Sequence, residues 1–336
     1  MNQELIDHAL KAFSFTKGLS PIVFMNDESK HEYIGDAVVS IGAFDGVHLG
    51  HQFILEHMIE SAHKANLPAV IVTFNVDPDE YFRNSDQVMK LVSNRTRHVM
   101  LANLGADYIV SVKFTPELAQ LSHKEFFEDY LGRFMSLRQI HVGNDFKLGK
   151  ARSEDINTIK AWGEARSCEV FAYDLLTKSG EVVSSSRIRE ALLDARLDEA
   201  NSLLGRPYTV IGTVIHGRGA GRTFGLPTAN ISLDQGFLFP ADGVYAGLVQ
   251  VDEEIYPTAI NVGIPPTFQD EEKLARLELY ILGFDDDIYG HIVKVAFVNY
   301  IRPLVTFENK EELIRIITQD IEITKDLLGA HALDLM

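Results

Sequence analysis

The sequence contains a single cysteine, Cys168, among its 336 residues. One cysteine excludes a disulfide within the chain and a metal site built from several thiolates. No apolar run approaches the length that a membrane-spanning helix needs, and the first residues lack the basic start and apolar core of a secretory signal. We therefore expect a cytoplasmic protein that does not insert into a membrane.

Positive charge is also scarce, because 31 lysines and arginines stand against 48 aspartates and glutamates, a formal net charge of −17. Duplex binding requires a dense basic surface, which this composition does not supply. We expect no nucleic-acid partner, small-molecule substrates, and a monomer or weak oligomer. Phosphorylated substrates would have to be bound locally, by backbone N–H groups, a few arginines and a divalent cation.

The length of the chain suits two domains, and the pattern of residues changes near position 205. Before it, a strand at 37–44, a helix at 51–66 and a strand at 68–74 form a βαβ unit, which predicts a parallel sheet. Further strands are predicted at 106–114, 138–146 and 169–176. Ser122 and Glu125 form a capping box that begins another helix. The helix at 51–66 should bury one face, made of Phe53, Ile54, Met58, Ile59 and Ala62.

After residue 205 the chain has short alternating strands separated by turns, which predicts an antiparallel sheet or small barrel. The strands are expected at 208–215, 242–252, 256–263, 275–282 and 291–302, followed by an amphipathic helix at 309–328. We place one domain at 1–186, a connecting helix at 187–205 and a second domain at 206–336. Residues before 37 receive no role.

GAFDGVHLGHQ (42–52) places His48 and His51 three residues apart where a strand ends and a helix begins. Such a position is the usual ligand crevice of an open parallel sheet, and free N–H groups at a helix start bind phosphate. Metal ligation is disfavoured because no further histidine or acidic ligand stands at a suitable spacing. Plain helix-start hydrogen bonding remains an alternative. The candidate phosphate-binding residues around the histidines are Gly42, Phe44, Asp45, Gly46 and Gly50.

A second strand-to-helix boundary occurs at VSSSRIRE (183–190). Hydroxyls there can cap a helix and contact phosphate, and Arg187 or Arg189 can pair with a polyphosphate. We select Ser184, Ser185, Ser186 and Arg189 as ATP-binding candidates. This segment and the HxGH element together resemble the nucleotidylyltransferase superfamily, in which both bind ATP.

The segment GTVIHGRGAGRTFGLPTANI (212–231) combines a Gly/Arg loop with a Pro-Thr-Ala-Asn stretch. It is not a Walker A loop, since no Gly-Lys-Ser/Thr follows; a mobile connection is the simpler alternative. Thr228 and Asn230 lie on the same side of an extended segment, and their neutral oxygens suit Mg²⁺ beside nucleotide phosphates. Glu278, in an otherwise apolar strand, is either solvent-facing or a positioned base. The candidate phosphate-binding residues of the loop are Gly217, Arg218, Gly221 and Arg222.

The order of the segments GAFDGVHLGHQ, VGNDFKLG, VSSSRIRE, LGRPYTVIGTV, GRTFGLPTANI, DGVYAG, INVGIPPTF and LELYIL resembles the bacterial bifunctional riboflavin kinase/FMN adenylyltransferase (FAD synthetase) family. The resemblance spans almost the whole chain. It implies an α/β Rossmann-like nucleotidylyltransferase domain followed by an antiparallel β-barrel flavokinase domain with a C-terminal helix.

The resemblance also implies roles for the candidate residues. His48 and His51 would stabilise the α-phosphate of ATP during transfer of AMP to FMN, with residues 184–189 on the triphosphate. In the barrel, Thr228 and Asn230 would hold Mg²⁺, and Glu278 would be the base for phosphorylation of riboflavin. Flavin contacts of the first domain are expected at Asn75, Asp145 and Phe146.

The chain departs from the family where TFNVDPDEY replaces a usual Phe-Asp-Pro-His-Pro stretch, so that Asn75, Val76 and Asp77 stand beside the expected flavin and adenine site. The alternative hypothesis is therefore a riboflavin kinase whose first domain is inactive or altered in specificity. A flavin-binding regulatory protein is a third possibility. The set of Thr228, Asn230 and Glu278 argues against it, since binding alone requires no base.

Overall fold

The computed structural model describes residues 13, 22–24, 33–75, 89–150, 153–217, 225–233, 236–263 and 276–329. The chain divides into two compact units at Ser185/Ser186. Of the described residues, the first unit holds those from 22 to 185, and the second holds Phe13 and those from 186 onward. We describe each unit by itself.

The first unit contains a six-stranded parallel sheet, as the βαβ pattern predicts. Its strands are β1 (Ile22–Phe24), β2 (Gly35–Ile41), β3 (Ala69–Phe74), β4 (Tyr108–Val112), β5 (Met135–Gly143) and β6 (Glu169–Tyr173), in the spatial order β1-β4-β3-β2-β5-β6. Its helices are α1 (Leu49–Ala65), α2 (Asn94–Asn103) and α3 (Ile156–Glu164), and a short hairpin joins β7 (Thr177–Lys178) to β8 (Glu181–Val182).

The central strands are apolar along their whole length because both faces of the sheet are covered. All six residues of β3 are buried. One face packs against a cluster that includes Phe126, Phe127 and Trp162, and the other against α1. The buried face of α1 differs from the prediction: Leu55, Met58, Ile59 and Ala62 are buried, whereas Phe53 and Ile54 are half-buried. Phe53 packs edge-on against Tyr173, with ring centroids 5.8 Å apart.

Two features of the first unit refine the sequence-based expectations. The capping box forms, with the Ser122 hydroxyl and backbone N–H both donating to Glu125 Oε2 at 2.7 and 2.8 Å. The helix that follows is a π-helix, Glu125–Tyr130, rather than an α-helix. In the N-terminal segment, to which the sequence assigned no role, β1 pairs in parallel with β4 and extends the sheet.

The strand order fixes where a ligand crevice lies. From β2 the chain proceeds to β3 and β4 on one side, whereas β5 and β6 lie on the other side. The order therefore reverses between β2 and β5, and open parallel sheets bind ligands beyond the carboxyl ends of strands at such a point. The segments leaving β2 and β5 here are Gly42–His48 and Asn144–Phe146.

The second unit is a closed antiparallel barrel, in agreement with the predicted fold. Its strands are β9 (Tyr208–Ile215), β10 (Ala229–Ser232), β11 (Gly243–Val251), β12 (Glu254–Val262), β13 (Leu277–Ile281) and β14 (Ile292–Arg302), in the order β10-β13-β12-β11-β14-β9. The C-terminal helix, here α6 (Lys310–Leu328), is capped by the Asn309 side chain. Phe13 is 2% exposed and belongs to the same apolar cluster as Leu248 and Leu328.

Two helices stand where the sequence predicts one connecting helix at 187–205. They are α4 (Ser185–Leu193) and α5 (Leu197–Leu204), and Ala195 between them adopts a left-handed φ of 58°. The Asn201 side chain holds α5 to the barrel, because it accepts from Tyr208 N–H at 2.7 Å and donates to the Phe297 carbonyl at 3.0 Å. Helix α5, and α4 from Ser186 onward, belong to the second unit.

Candidate active sites

The loop between β2 and α1 has an unusual backbone. Phe44 has φ 52°, Gly46 has φ 78° and Val47 has φ 42°. Glycine adopts this left-handed region freely, but a β-branched valine does so at a cost. Strained residues of this kind persist where the surrounding structure enforces them, and they concentrate at functional sites.

Asp45 is one of the residues that hold this loop in its unusual conformation. Its buried carboxylate accepts from Leu91 N–H at 3.1 Å and from Val92 N–H at 3.3 Å, and its carbonyl accepts from the Ser185 hydroxyl at 2.9 Å. These bonds join three separate segments of the first unit. Asp45, a predicted phosphate-binding residue, thus uses its carboxylate to support the loop.

His48 and His51 lie together at the start of α1. His48 is the N-cap, and its Nδ1 accepts from His51 N–H at 3.3 Å. The two rings stack with centroids 3.6 Å apart, and the Phe44 ring meets His51 edge-on at 5.3 Å. The helix start supplies N–H groups and the positive end of a dipole, so an anion there would meet both imidazoles.

The glycines of the motif make room for these rings. A Cβ on Gly42 would lie 3.0 Å from the Phe44 ring, and a Cβ on Gly50 would lie 3.2 Å from the His48 ring. Both distances are tighter than ordinary van der Waals contact. A larger residue at either position would therefore push an aromatic ring aside by a few tenths of an ångström.

The segment VSSSRIRE (183–190) runs from the end of the first unit into α4. Ser185 is the residue that bonds to the Asp45 carbonyl, Ser184 directly precedes the helix, and Ser186 is exposed. Arg187 pairs with Glu199, with Nε and Nη2 at 2.8 and 2.7 Å from Oε1. This ion pair joins α4 to α5.

Asn75 and the residues after β5 are the predicted flavin contacts. The Asn75 side-chain Oδ1 accepts from Phe114 N–H at 2.9 Å, and the Asn75 backbone carbonyl accepts from Asn94 Nδ2 at 2.8 Å. The residue thus joins the end of β3 to the segment after β4 and to α2. Asp145 is exposed and Phe146 is half-buried, both just beyond the carboxyl end of β5. Val76, Asp77 and Pro78 lie outside the described residues.

The barrel brings Thr228, Asn230 and Glu278 together as the sequence predicts. The Thr228 hydroxyl donates to Glu278 Oε1 at 2.9 Å. Glu278 stands opposite Asn230 on β10 and opposite Asn261 on β12, so the side chains of Asn230, Glu278 and Asn261 share one face of the barrel wall. Its neighbours Leu277 and Leu279 are fully buried on the other face.

Of the four candidate residues in the glycine-rich loop, Gly217 is the one that the structure describes. A Cβ at this position would lie 2.1 Å from Asn230 Nδ2, so the Asn230 amide rests directly on the Gly217 Cα. Arg218, Gly221 and Arg222 lie outside the described residues. Gly217 therefore contributes to the site by leaving room for the Asn230 side chain.

Two buried histidines of the first unit were not recognised from the sequence. Burial lowers the pKa of His98 and of His141 to about 4, helped by the charges of Arg97 and His57 respectively. His141 interrupts the apolar strand RQIHVG, and a polar residue inside a strand buried on both faces was the available signal. Burial also lowers the pKa of Lys294 in β14 to about 8.

Together the two units define a class of transferase, in which a nucleotidylyltransferase-like α/β domain and a kinase-like barrel occur in one chain. Residues 30–187 match the FAD synthetase family and residues 204–328 match the riboflavin kinase family. The chain belongs to the bifunctional riboflavin kinase/FMN adenylyltransferase family.

The curated relatives match along most of their length. The bifunctional riboflavin kinase/FMN adenylyltransferase of Buchnera aphidicola subsp. Acyrthosiphon pisum is 35% identical over 89% of this chain and 96% of its own. The Listeria monocytogenes protein of the same description is 35% identical, over 86% and 91%. The Escherichia coli K12 protein is 32% identical, over 87% and 93%.

A solved structure also resembles the chain. It is described as a macrolide-efflux protein from Streptococcus pneumoniae, and it aligns with a TM-score of 0.82 and 31% identity over 91% of this chain and 99% of its own. That description differs from those of the curated relatives and concerns that protein alone. Within the described part of this chain, no helix is both long and apolar enough to cross a membrane.

Proposed function

We propose that this chain phosphorylates riboflavin to FMN in the barrel and adenylylates FMN to FAD in the first unit. The observation that carries the proposal is that residues 30–187 and 204–328 match the two enzyme families in turn. A kinase with an inactive first domain gains no support from these matches. We also propose that the substrates are small molecules and that the protein works in the cytoplasm as a monomer or weak oligomer.

In adenylyl transfer, a phosphate oxygen of FMN attacks the α-phosphorus of ATP, and pyrophosphate leaves with the electrons of the broken P–O bond. Negative charge grows on the α-phosphate oxygens during this step, so fixed donors there lower the barrier. His48 and His51 would supply these donors at the start of α1. Ser184, Ser186 and Arg189 would bind the triphosphate, and Asp145 and Phe146 would contact the flavin.

In the kinase reaction, the 5′-hydroxyl oxygen of riboflavin attacks the γ-phosphorus of ATP, and ADP leaves. Glu278 would accept the hydroxyl proton. The Thr228 hydroxyl already donates to this carboxylate, which fixes its orientation. The other carboxylate oxygen, Oε2, would take the hydroxyl proton.

Mg²⁺ fits the donor atoms of the barrel. Thr228, Asn230 and Glu278 place hydroxyl, amide and carboxylate oxygens side by side, which are the hard ligands that Mg²⁺ prefers. The described residues hold no group of three or more His, Cys, Asp or Glu arranged for a metal ion. The cation would therefore depend on nucleotide phosphates as well as on Thr228 and Asn230, and it would neutralise charge on the transferring phosphoryl group.

The test is incubation of the purified chain with riboflavin, ATP and Mg²⁺, followed by chromatographic separation of FMN and FAD. We expect FMN to appear first and FAD after it, with pyrophosphate released in proportion to FAD. Omission of Mg²⁺ should abolish both products. FMN without FAD, even when FMN is the added substrate, would refute the adenylyltransferase activity, and the absence of both products would refute the whole proposal.

A further inference from the structure

Helix α1, which carries the two histidines of the first unit, meets β5 and β6 through one stripe of side chains. Phe53, His57 and Ser61 are spaced by four residues and therefore lie on the same side of the helix. The Ser61 hydroxyl donates to Gln139 Oε1 at 2.7 Å. The Tyr173 ring lies 5.8 Å from the Phe53 ring and 5.2 Å from the His57 ring. The stripe thus has one contact on β5 and another on β6.

The His141 side chain links the contact on β5 to the contact on β6. Its side chain is 1% exposed; Nδ1 lies 2.8 Å from the Tyr173 hydroxyl and Nε2 lies 3.5 Å from Gln139 Oε1. The ring also stacks on Phe171, with centroids 4.6 Å apart. A partly buried hydrogen-bonded series therefore runs from Ser61 through Gln139 and His141 to Tyr173.

The partners determine the tautomer of His141. Gln139 Nε2 donates to Glu169 Oε2 at 3.1 Å, which turns Gln139 Oε1 toward both Ser61 and His141. An acceptor at Oε1 requires a proton on His141 Nε2, so Nδ1 accepts from the Tyr173 hydroxyl. Burial keeps the pKa of His141 near 4, so the ring remains neutral and this arrangement persists across physiological pH. The titratable groups around it are His57, Tyr173 and, through Gln139, Glu169.

We propose that His141 is a positioning residue for adenylyl transfer, which it supports by fixing the rotation and axial position of α1 and hence the placement of His48 and His51. The contact at Phe53 lies two residues from His51 and the contact at Ser61 lies ten residues from it, so the helix is held near its reactive end and near its far end. A displacement of reacting groups by 1 Å can cost about 10²-fold in rate. This inference rests on the adenylyltransferase activity proposed above.

The test compares Tyr173→Phe, His141→Phe and the double variant with the unaltered chain, measuring kcat and KM for FAD formation from FMN and ATP. Tyr173→Phe removes only the hydroxyl and keeps the ring contacts with Phe53 and His57. Tyr33→Phe is the matched control, because its hydroxyl bonds to Ser136 Oγ at 2.8 Å near the opposite end of β5. Riboflavin phosphorylation in the barrel of the same molecules serves as an internal reference for folded protein.

We expect each of the two single variants to lower kcat for FAD formation about tenfold or more, with KM and riboflavin phosphorylation changed less than about twofold. The double variant should be no slower than the slower single variant, because both remove the same series of bonds. A normal kcat in both single variants, additive effects, or equal loss in Tyr33→Phe would overturn the inference. If the unaltered chain itself forms no FAD, the proposed function fails rather than this inference.

Discussion

At the scale of single residues, Gly217 is required by the side chain that lies against it rather than by a turn. The Asn230 amide occupies the space that any Cβ at position 217 would take. A glycine-rich segment is readily seen in the sequence, but which of its glycines touches a functional side chain depends on a strand that begins twelve residues later. The sequence could therefore predict a phosphate loop and could not predict this contact.

Gly217→Ala should impair the kinase selectively. The new methyl group must displace Asn230, so we expect riboflavin phosphorylation to fall about tenfold or more. FAD formation from added FMN should be unchanged. Gly132→Ala is a suitable control, since its Cβ would meet only the Phe127 carbonyl at an ordinary 3.5 Å. An unchanged kcat for riboflavin phosphorylation in Gly217→Ala would show that the contact between Asn230 and Gly217 is unimportant for the kinase.

Glu278→Gln tests the proposed base directly. The amide retains the size of the side chain but cannot accept the hydroxyl proton, so kcat for riboflavin phosphorylation should fall by roughly 10²–10⁴. FAD formation from FMN provides the control within the same molecule. Near-normal phosphorylation would remove Glu278 from the chemistry.

His51→Ala tests the first unit in the same way. Loss of one donor to the developing charge should lower kcat for FAD formation by roughly 10²–10³. Riboflavin phosphorylation should remain at its original rate. A parallel decline of both activities would indicate a general folding defect and contradict a specific role.

Other residues show that a polar side chain at a strand end can also support the fold. Asp45 and Asn75 lie at strand ends and are predicted to bind ligands, and their side chains accept from the backbone N–H groups of Leu91 and Phe114. A polar residue at a strand end can either contact a ligand or support a loop, and its type and position in the sequence do not distinguish the two roles. The partner distinguishes them, and it is 46 residues away for Asp45 and 39 for Asn75.

At the scale of elements, periodicity located most of the longer strands and α1, but it did not predict helices α2 and α3, strand β10 or the order of the strands. Strand β9 has the predicted bounds of 208–215, whereas β1 was not predicted because three apolar residues carry no periodic signal. The division between α4 and α5 was missed because Asp194–Arg196 contains no glycine or proline to mark it. Pairing of β1 with β4 joins residues about 85 positions apart, which local propensity cannot encode.

Helix α6 is fixed to the barrel by an ion pair that can be tested. Both Arg302 nitrogens, Nε and Nη2, donate to the Asp320 carboxylate at 2.9 and 2.6 Å, and the Asp320 side chain is 7% exposed. Asp320→Asn leaves the guanidinium without its counter-charge, so we expect the barrel to lose about 3 kcal/mol of unfolding free energy. The urea concentration that halves kinase activity measures this loss.

Asp326→Asn is the matched control for this prediction, because Asp326 is exposed on the same helix. Its effect on the unfolding free energy should stay within about 0.5 kcal/mol. Equal urea midpoints for Asp320→Asn and Asp326→Asn would mean that the Arg302–Asp320 pair does not stabilise the barrel.

At the scale of the whole molecule, the two units differ in their expected response to acid. His98 and His141, each with its pKa lowered to about 4 from 6.5, both lie in the first unit. They stay neutral in the folded state, whereas the unfolded chain takes up protons near pH 6.5. Their contribution to stability is therefore fully present above pH 6.5 and is lost as the pH falls toward 4.

The loss should be visible by pH 5 in urea unfolding followed by Trp162 fluorescence. Trp162 is the only tryptophan of the chain and is packed in the first unit, so its signal reports that unit alone. Between pH 6.5 and 5 each histidine should remove roughly 1–2 kcal/mol of unfolding free energy, because the slope rises toward 1.36 kcal/mol per pH unit only below pH 6.5. Local hydrogen bonds lower the pKa of exposed carboxylates such as Glu125 and Asp155, so these groups add a further loss of stability as the pH falls. His98→Gln should remove about half of the slope, and an unfolding free energy that does not change between pH 6.5 and 5 would show that neither histidine is held neutral by burial.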